Sequence, residues 1–445
     1  MQQALIGLSG TVKAMHREIL ALALPNILTN LAVPLLGIVD TALMGRLDAV
    51  SYLGAIAIGS MIFNFIYWLF GFLRMGTTGF TAQAHGRQDE AALTGYLVRP
   101  LLLAAGIGMA LIALQVPLAG LSFWVVEASP AVEQFARAYF IIRIWAAPAT
   151  LMLYVLNGWF LGRQNARYPM YLAFFGNSVN ILVSGFCVWG LGLKTAGVAW
   201  GTLCAQYLTL FLALGLLTWR YRGLWPHVKG SLRHWQDMGH FFRVNRDIFV
   251  RTLCLLLTFG FFTAESARYG ETLLAVNTIL LQFLSVMAYG VDGFAFAAES
   301  LVGKVWGAEK GTQPHELQTL IRRLFLWGEG LGLLFAGVYG LCFTPLFYLF
   351  TDKPHLLLAA LPFVPWVVLG SLINSFCFIW DGIYLGATAS RPMRNTMLLS
   401  VFGVFFPVYY LVQPFWGIHA LWLAMMAFMA SRGLSLTWTA RRYLF

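Results

Sequence analysis

Asp40 is the residue at which chemistry can first be argued. It lies in an apolar run in which Asn26, Asn30, Gly37, Asp40 and Met44 follow one another at spacings of 4, 7, 3 and 4, one face of a helix. A carboxylate at the centre of a membrane-spanning helix costs about 2.5–3.5 kcal/mol on insertion scales, so it either works on ions or is held by hydrogen bonds for packing. Pro25 and Pro34 on the same run each remove a backbone hydrogen bond, which lets the helix bend and frees carbonyls beside the polar stripe. A carboxylate on a bendable helix has the makings of a proton or cation switch. Asn177, Asn180 and Ser184 repeat the theme at spacings of 3 and 4, while Asn157, Thr202 and Gln206 add polar groups in adjacent runs. Singly these are interhelical hydrogen bonds. Together with Asp40 they form the oxygen set of an expected proton or cation site.

The second half has its own polar faces. Gln282, Ser285, Tyr289, Asp292, Phe296 and Glu299 advance by 3 or 4, as do Asn374, Cys377 and Asp381, and Glu265 ends another run. Asp292 and Asp381 serve either transport or structural pairing, with Arg137, Arg143 and Arg251 available as partners, whereas Glu299 near Lys304 suits a solvated helix end. Glu265, Asp292 and Asp381 make up the candidate site of this half. Asn64, Tyr67, Trp68 and Gly71 fall on one face and either line a substrate cavity or pack against neighbouring helices. Catalytic chemistry is not in view. The sequence has no H-E-x-x-H, no G-x-S-x-G and no Walker loop, and its five cysteines show no metal spacing. No catalytic residue, metal or cofactor is expected, and the chain is not read as an enzyme.

The elements that position these residues are membrane spans. Of 445 residues 59% are hydrophobic and 11% charged, with a mean hydropathy of +0.73, far from a soluble domain's share of about 25% charged residues. Apolar runs near 18–45, 51–73, 96–120, 134–161, 168–190 and 195–219 precede a polar linker, and six more follow near 247–267, 271–303, 322–350, 355–386, 395–413 and 418–438. The first run starts near Ile19 with no small-residue cleavage site, so no cleavable signal peptide is expected. The net charge of +11 sits in short clusters between runs, which marks topology rather than nucleic acid. Lys13, Arg17, Arg87, Arg163, Arg167, the linker arginines, Arg391, Arg394, Arg441 and Arg442 gather on one side, against Arg46, Lys194, Arg268 and Lys353 on the other. Both termini and the linker are therefore expected in the cytoplasm. Residues 40–46 align with 265–271, and Gly158-Trp-Phe-Leu-Gly162 with Gly382-Ile-Tyr-Leu-Gly386, at offsets of 225 and 224 residues. The expected fold is thus all-α and integral to the membrane. Twelve helices form two six-helix lobes, 1–219 and 247–445, related by a pseudo-twofold axis along the membrane normal, with 220–246 as linker.

The sequence resembles the multidrug and toxic compound extrusion (MATE) family and within it the DNA-damage-inducible F (DinF) branch. The resemblance rests on Leu24-Pro25, Val33-Pro34-Leu35-Leu36-Gly37-Ile38-Val39-Asp40-Thr41-Ala42, Gly45-Arg46-Leu47, the stretch Leu73 to Ala84, Asn245-Arg246-Asp247-Ile248, Val291-Asp292-Gly293-Phe294-Ala295 and Leu385-Gly386-Ala387-Thr388. It implies a two-lobed antiporter in a bacterial inner membrane that exports lipophilic, usually cationic compounds in exchange for protons or sodium ions. It is expected to work as a monomer among membrane lipids, without nucleic acid. The resemblance assigns ion-site roles to Asp40, Asn157, Asn180 and Thr202, and to Glu265 and Asp381 in the second lobe. One departure bears on the ion. The family often has a second Asp where this sequence has Ser184, and a lone carboxylate favours the proton over sodium. A flippase for lipids or lipid-linked precursors is the alternative.

Overall fold

The computed structural model describes residues 2–44, 50–126, 128–233, 238–308 and 314–445, without the side chains of 2–12, 33, 35, 36, 38–44, 50, 233 and 314. The Asp40 side chain is thus outside the described residues. Long helices make up nearly all of the chain: α1 (Gln2–Met44), α2 (Ser51–Gly86), α3 (Glu90–Ala113), α4 (Pro130–Gly162), α5 (Arg167–Gly190), α6 (Lys194–Arg220), α7 (Met238–Arg268), α8 (Glu271–Ala308), α9 (His315–Leu341), α10 (Pro354–Gly386), α11 (Ser390–Trp416) and α12 (Ile418–Tyr443). Among the described residues, the eleven from α2 to α12 are long and apolar enough to cross a membrane, and α1 carries the first apolar run. The protein has an all-α, twelve-helix, multi-pass fold.

Several helices outrun their apolar stretches, because a helix continues past hydrocarbon wherever its caps and neighbours allow. α2 extends to Gly86, and α3 starts at Glu90, where Asp89 accepts from the Ala92 N–H at 2.9 Å. Prolines account for three of the irregular turns. Pro148, Pro365 and Pro407 lack the N–H that the carbonyls of Ile144, Leu361 and Gly403 would otherwise receive. The chain tightens to 3₁₀ geometry at Ile144–Ala146 and Leu361–Phe363, and opens to a π-helical turn at Leu399–Phe405.

The repeat seen in the sequence is a repeat of packing. In the first half, Gly158 and Gly162 of α4 lie against α2, where a Cβ at either would strike the backbone at Arg74 or Thr78. In the second, Gly382 and Gly386 of α10 lie against α8 at the backbone of Ala295 and of Glu299 and Gly303. Glycine at a four-residue interval is what lets two helix backbones approach this closely. Each helix then ends in the same way. Gln164 (φ 62°) and Thr388 (φ 53°) take left-handed conformations, and the N–H groups of Asn165 and Ala389 both bond back to the carbonyl five residues earlier at 2.9 Å.

The chain forms two compact units, Leu28–Gly239 and Met1–Ile27 with His240–Phe445. They do not coincide with a division at 219 and 247. The first part of α1 packs in the second unit, where His16 Nδ1 accepts from Trp327 Nε1 at 2.9 Å and Ala23 and Ile27 lie against Gly293. Part of the polar stretch after α6 belongs to the first unit. There a short helix, Trp225–Arg233, meets α3, with Arg99 Nε donating to the Ser231 carbonyl at 2.9 Å.

Candidate functional site

In the first unit the structure brings three of the expected residues into one hydrogen-bonded chain. Ser184 Oγ donates to Asn180 Oδ1 at 3.2 Å, Asn180 Nδ2 donates to Thr202 Oγ1 at 2.9 Å, and Thr202 Oγ1 donates to the Val198 carbonyl at 3.0 Å. All three side chains are buried. The spacing of four on α5 stacks Asn180 and Ser184, and Gly201 on α6 leaves the room that the Ser184 hydroxyl occupies. One turn earlier, Asn177 Nδ2 donates to the Ala32 carbonyl at 3.0 Å, which ties α5 to α1. Asn157 is not hydrogen-bonded to this chain, and its carboxamide oxygen is buried with no partner among the described residues. A buried acceptor left open in this way costs free energy unless a donor or cation visits it. α1 runs helically through both Pro25 and Pro34, and beside Pro25 the Asn26 amide donates to the Leu22 carbonyl at 2.9 Å.

The candidate cavity residues of α2 differ in exposure. Tyr67 is buried in the core against Phe63, whereas Asn64 and Trp68 lie on the exposed side. At about 100° per residue, Asn64 and Trp68 are about 40° apart, while Tyr67 is turned about 60° the other way. Tyr67 is thus set in the core at the edge of that face, and Asn64 and Trp68 keep the exposed position.

In the second unit Asp381 is held by two arginines. Its Oδ2 accepts from Nη2 of Arg251 on α7 and, at 2.7 Å, from Nη2 of Arg432 on α12. All three residues are buried, so the cluster carries one excess positive charge in an apolar interior. Arg432 also lies 5.3 Å from the Phe428 ring centroid and 3.1 Å from the Met429 sulfur. Of the arginines named as partners, Arg251 pairs with Asp381 and Arg137 with Glu133. Glu265 stands elsewhere. Its carboxylate accepts from Arg268 and from the Tyr409 hydroxyl, both at 2.9 Å. Fourteen residues of α7 separate it from Arg251, about 21 Å of helix, so Glu265 and Asp381 do not form one site. Asp292 is half-buried on α8 between buried Val291 and Gly293. Among the described residues no three His, Cys, Asp or Glu side chains converge as metal ligands.

Two membrane residues escaped the sequence reading. Arg432 is the one cation in an apolar stretch of α12, and Glu329 is a carboxylate between Gly328 and Gly330 in α9. Both are lone charges in apolar runs rather than members of a polar stripe.

Two stretches, 25–185 and 248–411, match the MatE family model, the second beginning 223 residues after the first, as the internal repeat requires. The chain is 40% identical over 425 residues to DNA damage-inducible protein F of Escherichia coli (strain K12), covering 95% of this chain and 91% of that protein. It is 29% identical to Protein DETOXIFICATION 44, chloroplastic, of Arabidopsis thaliana, covering 95% and 81%. Among solved structures, a multidrug resistance MATE family transporter of the MOP superfamily in an outward-facing conformation superposes with a TM-score of 0.86, at 18% identity and 96% coverage of both chains. At that identity the likeness is one of fold.

Proposed function

The chain belongs to the MatE family, and on that premise we propose that it is a secondary active exporter of bulky lipophilic compounds, cations by preference, driven by protons that bind Asp40. The observation that carries this reading is the chain Ser184–Asn180–Thr202, a buried and hydrogen-bonded set with no charge of its own. Asn177 ties α5 to α1 at Ala32. From there Asp40 is eight residues on along α1 and Ser184 seven residues on along α5, about 12 Å and about 10.5 Å of helical rise. Both are odd-numbered spans that cross in the same sense, so the geometry supports Asp40 reaching the level of Ser184.

Sodium is hard to strip of water without several oxygens, and anionic ones help most. Here the oxygens of Asn180, Ser184 and Thr202 already take part in hydrogen bonds, only the Asn157 oxygen is left open among the described residues of the set, and Ser184 stands where a second carboxylate would add charge. A proton needs one carboxylate only. A membrane interior disfavours a charged carboxylate, and a proton neutralises it. Loss of that charge would let the neighbouring amides rearrange and α1 bend at Pro25 and Pro34, where backbone hydrogen bonds are already missing. Bending would press the substrate out of its cavity. The same reading puts the protein in the bacterial inner membrane as a monomer, with both termini cytoplasmic.

The test is transport of ethidium or rhodamine in proteoliposomes under an imposed pH gradient without sodium. Transport that collapses with an uncoupler and is lost in Asp40→Asn supports the reading. Transport that needs a sodium gradient and survives the uncoupler refutes proton coupling, and movement of anionic lipid-like compounds alone favours a flippase.

A further inference from the structure

Glu329 lies inside α9 with no arginine, lysine or histidine within ion-pair distance among the described residues. Its Oε2 is 3.0 Å from Ser375 Oγ on α10, and its Oε1 is shut off from solvent without a hydrogen-bond partner. The contact is built in. A Cβ at Gly328 would strike the Ile379 side chain, and one at Gly332 would strike Ser375 and the Ser371 carbonyl. The bare glycine edge of α9 therefore brings the carboxyl group onto α10.

Counting hydrogens tells which form of the acid fits. Ser375 Oγ also lies 2.8 Å from the Leu372 carbonyl, so two acceptors stand around a hydroxyl that owns one hydrogen. If Glu329 is ionised it only accepts, and the two acceptors must share the one hydroxyl hydrogen. If Glu329 carries a proton, it donates to Ser375, and Ser375 passes its own hydrogen to Leu372. Both contacts are then satisfied, and Oε1 is the carbonyl oxygen of a neutral acid rather than an unmatched half of a charge.

The charged groups nearby do not alter this. On α10 the titratable side chains are His355, Cys377, Asp381 and Tyr384; His355 is twenty residues from Ser375, about 30 Å along the chain's helical rise, and Asp381 is engaged by Arg251 and Arg432. α8 meets α9 through Gly290, against Leu331 and Phe335, and through Phe294, stacked on Trp327 at 6.0 Å. Asp292 and buried Glu299 are turned about 200° and about 180° from Gly290 and Tyr289 about 100°, while Lys304, only about 40° from Gly290, is fourteen residues or about 21 Å further along α8. His16 of α1 bonds Trp327, about 200° around α9 from Glu329. The short helix Phe343–Phe347 carries no charge. On α9 itself Arg323 is six residues away, about 9 Å along the axis, with Arg322 and Glu316 further on and Tyr339 beyond in the other direction.

We propose that Glu329, hydrogen-bonded to Ser375, is a proton-binding site of the second unit, distinct from Asp40 and occupied in this arrangement. Its protonation stands on the geometry; its part in transport rests on the proton-driven reading above. Releasing the proton leaves a charge that the site cannot match. That favours an arrangement of α9 and α10 in which water or a cation reaches the carboxylate.

Difference infrared spectroscopy of the purified full-length protein tests this through the carbonyl stretch of protonated carboxylic acids, followed from neutral to alkaline pH. A band lost on alkalinisation is expected in the wild type, retained in Asp40→Asn and absent from Glu329→Gln. In Ser375→Ala it should move, because the hydrogen bond is gone. Identical wild-type and Glu329→Gln spectra would overturn the proposal; should that variant not purify, an unmoved band in Ser375→Ala would do so. Sodium-only transport with the Glu329 band present refutes proton-driven export and leaves this site standing.

Discussion

Asp381→Asn removes the carboxylate and keeps its volume, which leaves two buried guanidinium groups facing one another. Both Nη2 atoms bond the same oxygen, so they are no more than about 5 Å apart. At an effective dielectric constant of about 20, two unit charges at that separation repel by about 3 kcal/mol. Breaking a buried pair costs about 3–5 kcal/mol by the same logic, since the remaining charge keeps its desolvation penalty. Arg251→Met is the opposite case. It leaves Asp381 and Arg432 as a one-to-one pair at 2.7 Å and removes an Nε that is buried without a partner. Its expected cost is at most about 1 kcal/mol. The double variant Asp381→Asn with Arg251→Met should recover part of the loss, a coupling of about 1–3 kcal/mol. Unfolding of the purified variants in one detergent gives the order directly. Asp381→Asn as stable as the wild type, or Arg251→Met less stable than Asp381→Asn, would refute the excess-charge argument.

Gly382→Ala and Gly158→Ala should lower the thermal midpoint, because each new methyl meets the backbone of the facing helix, whereas Gly106→Ala, with open space around it, should hold or gain about 0.5–1 kcal/mol. Detergent thermostability reads all three, and equal midpoints would show that the close approaches relax. Asn180→Leu strips the acceptor from Ser184 and the donor from Thr202 and should cost about 1–3 kcal/mol together with efflux. Full dye resistance in cells that express it would remove this chain from the mechanism. Asp40→Asn should reach the membrane at wild-type level yet lose resistance, and a variant that fails to accumulate would make Asp40 a packing residue.

The spans and the twofold repeat could be read from the sequence by itself. Hydropathy sums over neighbours along the chain, and a repeat is a property of order alone. The Gly158/Gly162 and Gly382/Gly386 pairs appeared there as aligned letters and prove to be matching close approaches. The chain on α5 and α6 was legible for a similar reason, since Asn180 and Ser184 lie on one helix face and Thr202 lies on the next span. Partnership across helices was legible only in part. It depends on the rotation of each helix about its axis and on the level at which two helices touch, and neither quantity is written in the spacing of one helix. Arg432 reaches Asp381, Glu265 lies about 21 Å of helix away from Arg251, and Tyr67 turns into the core while Asn64 and Trp68 do not. Glu329 meets Ser375 only because two glycines let α9 settle onto α10, a fit between surfaces that tertiary packing alone decides.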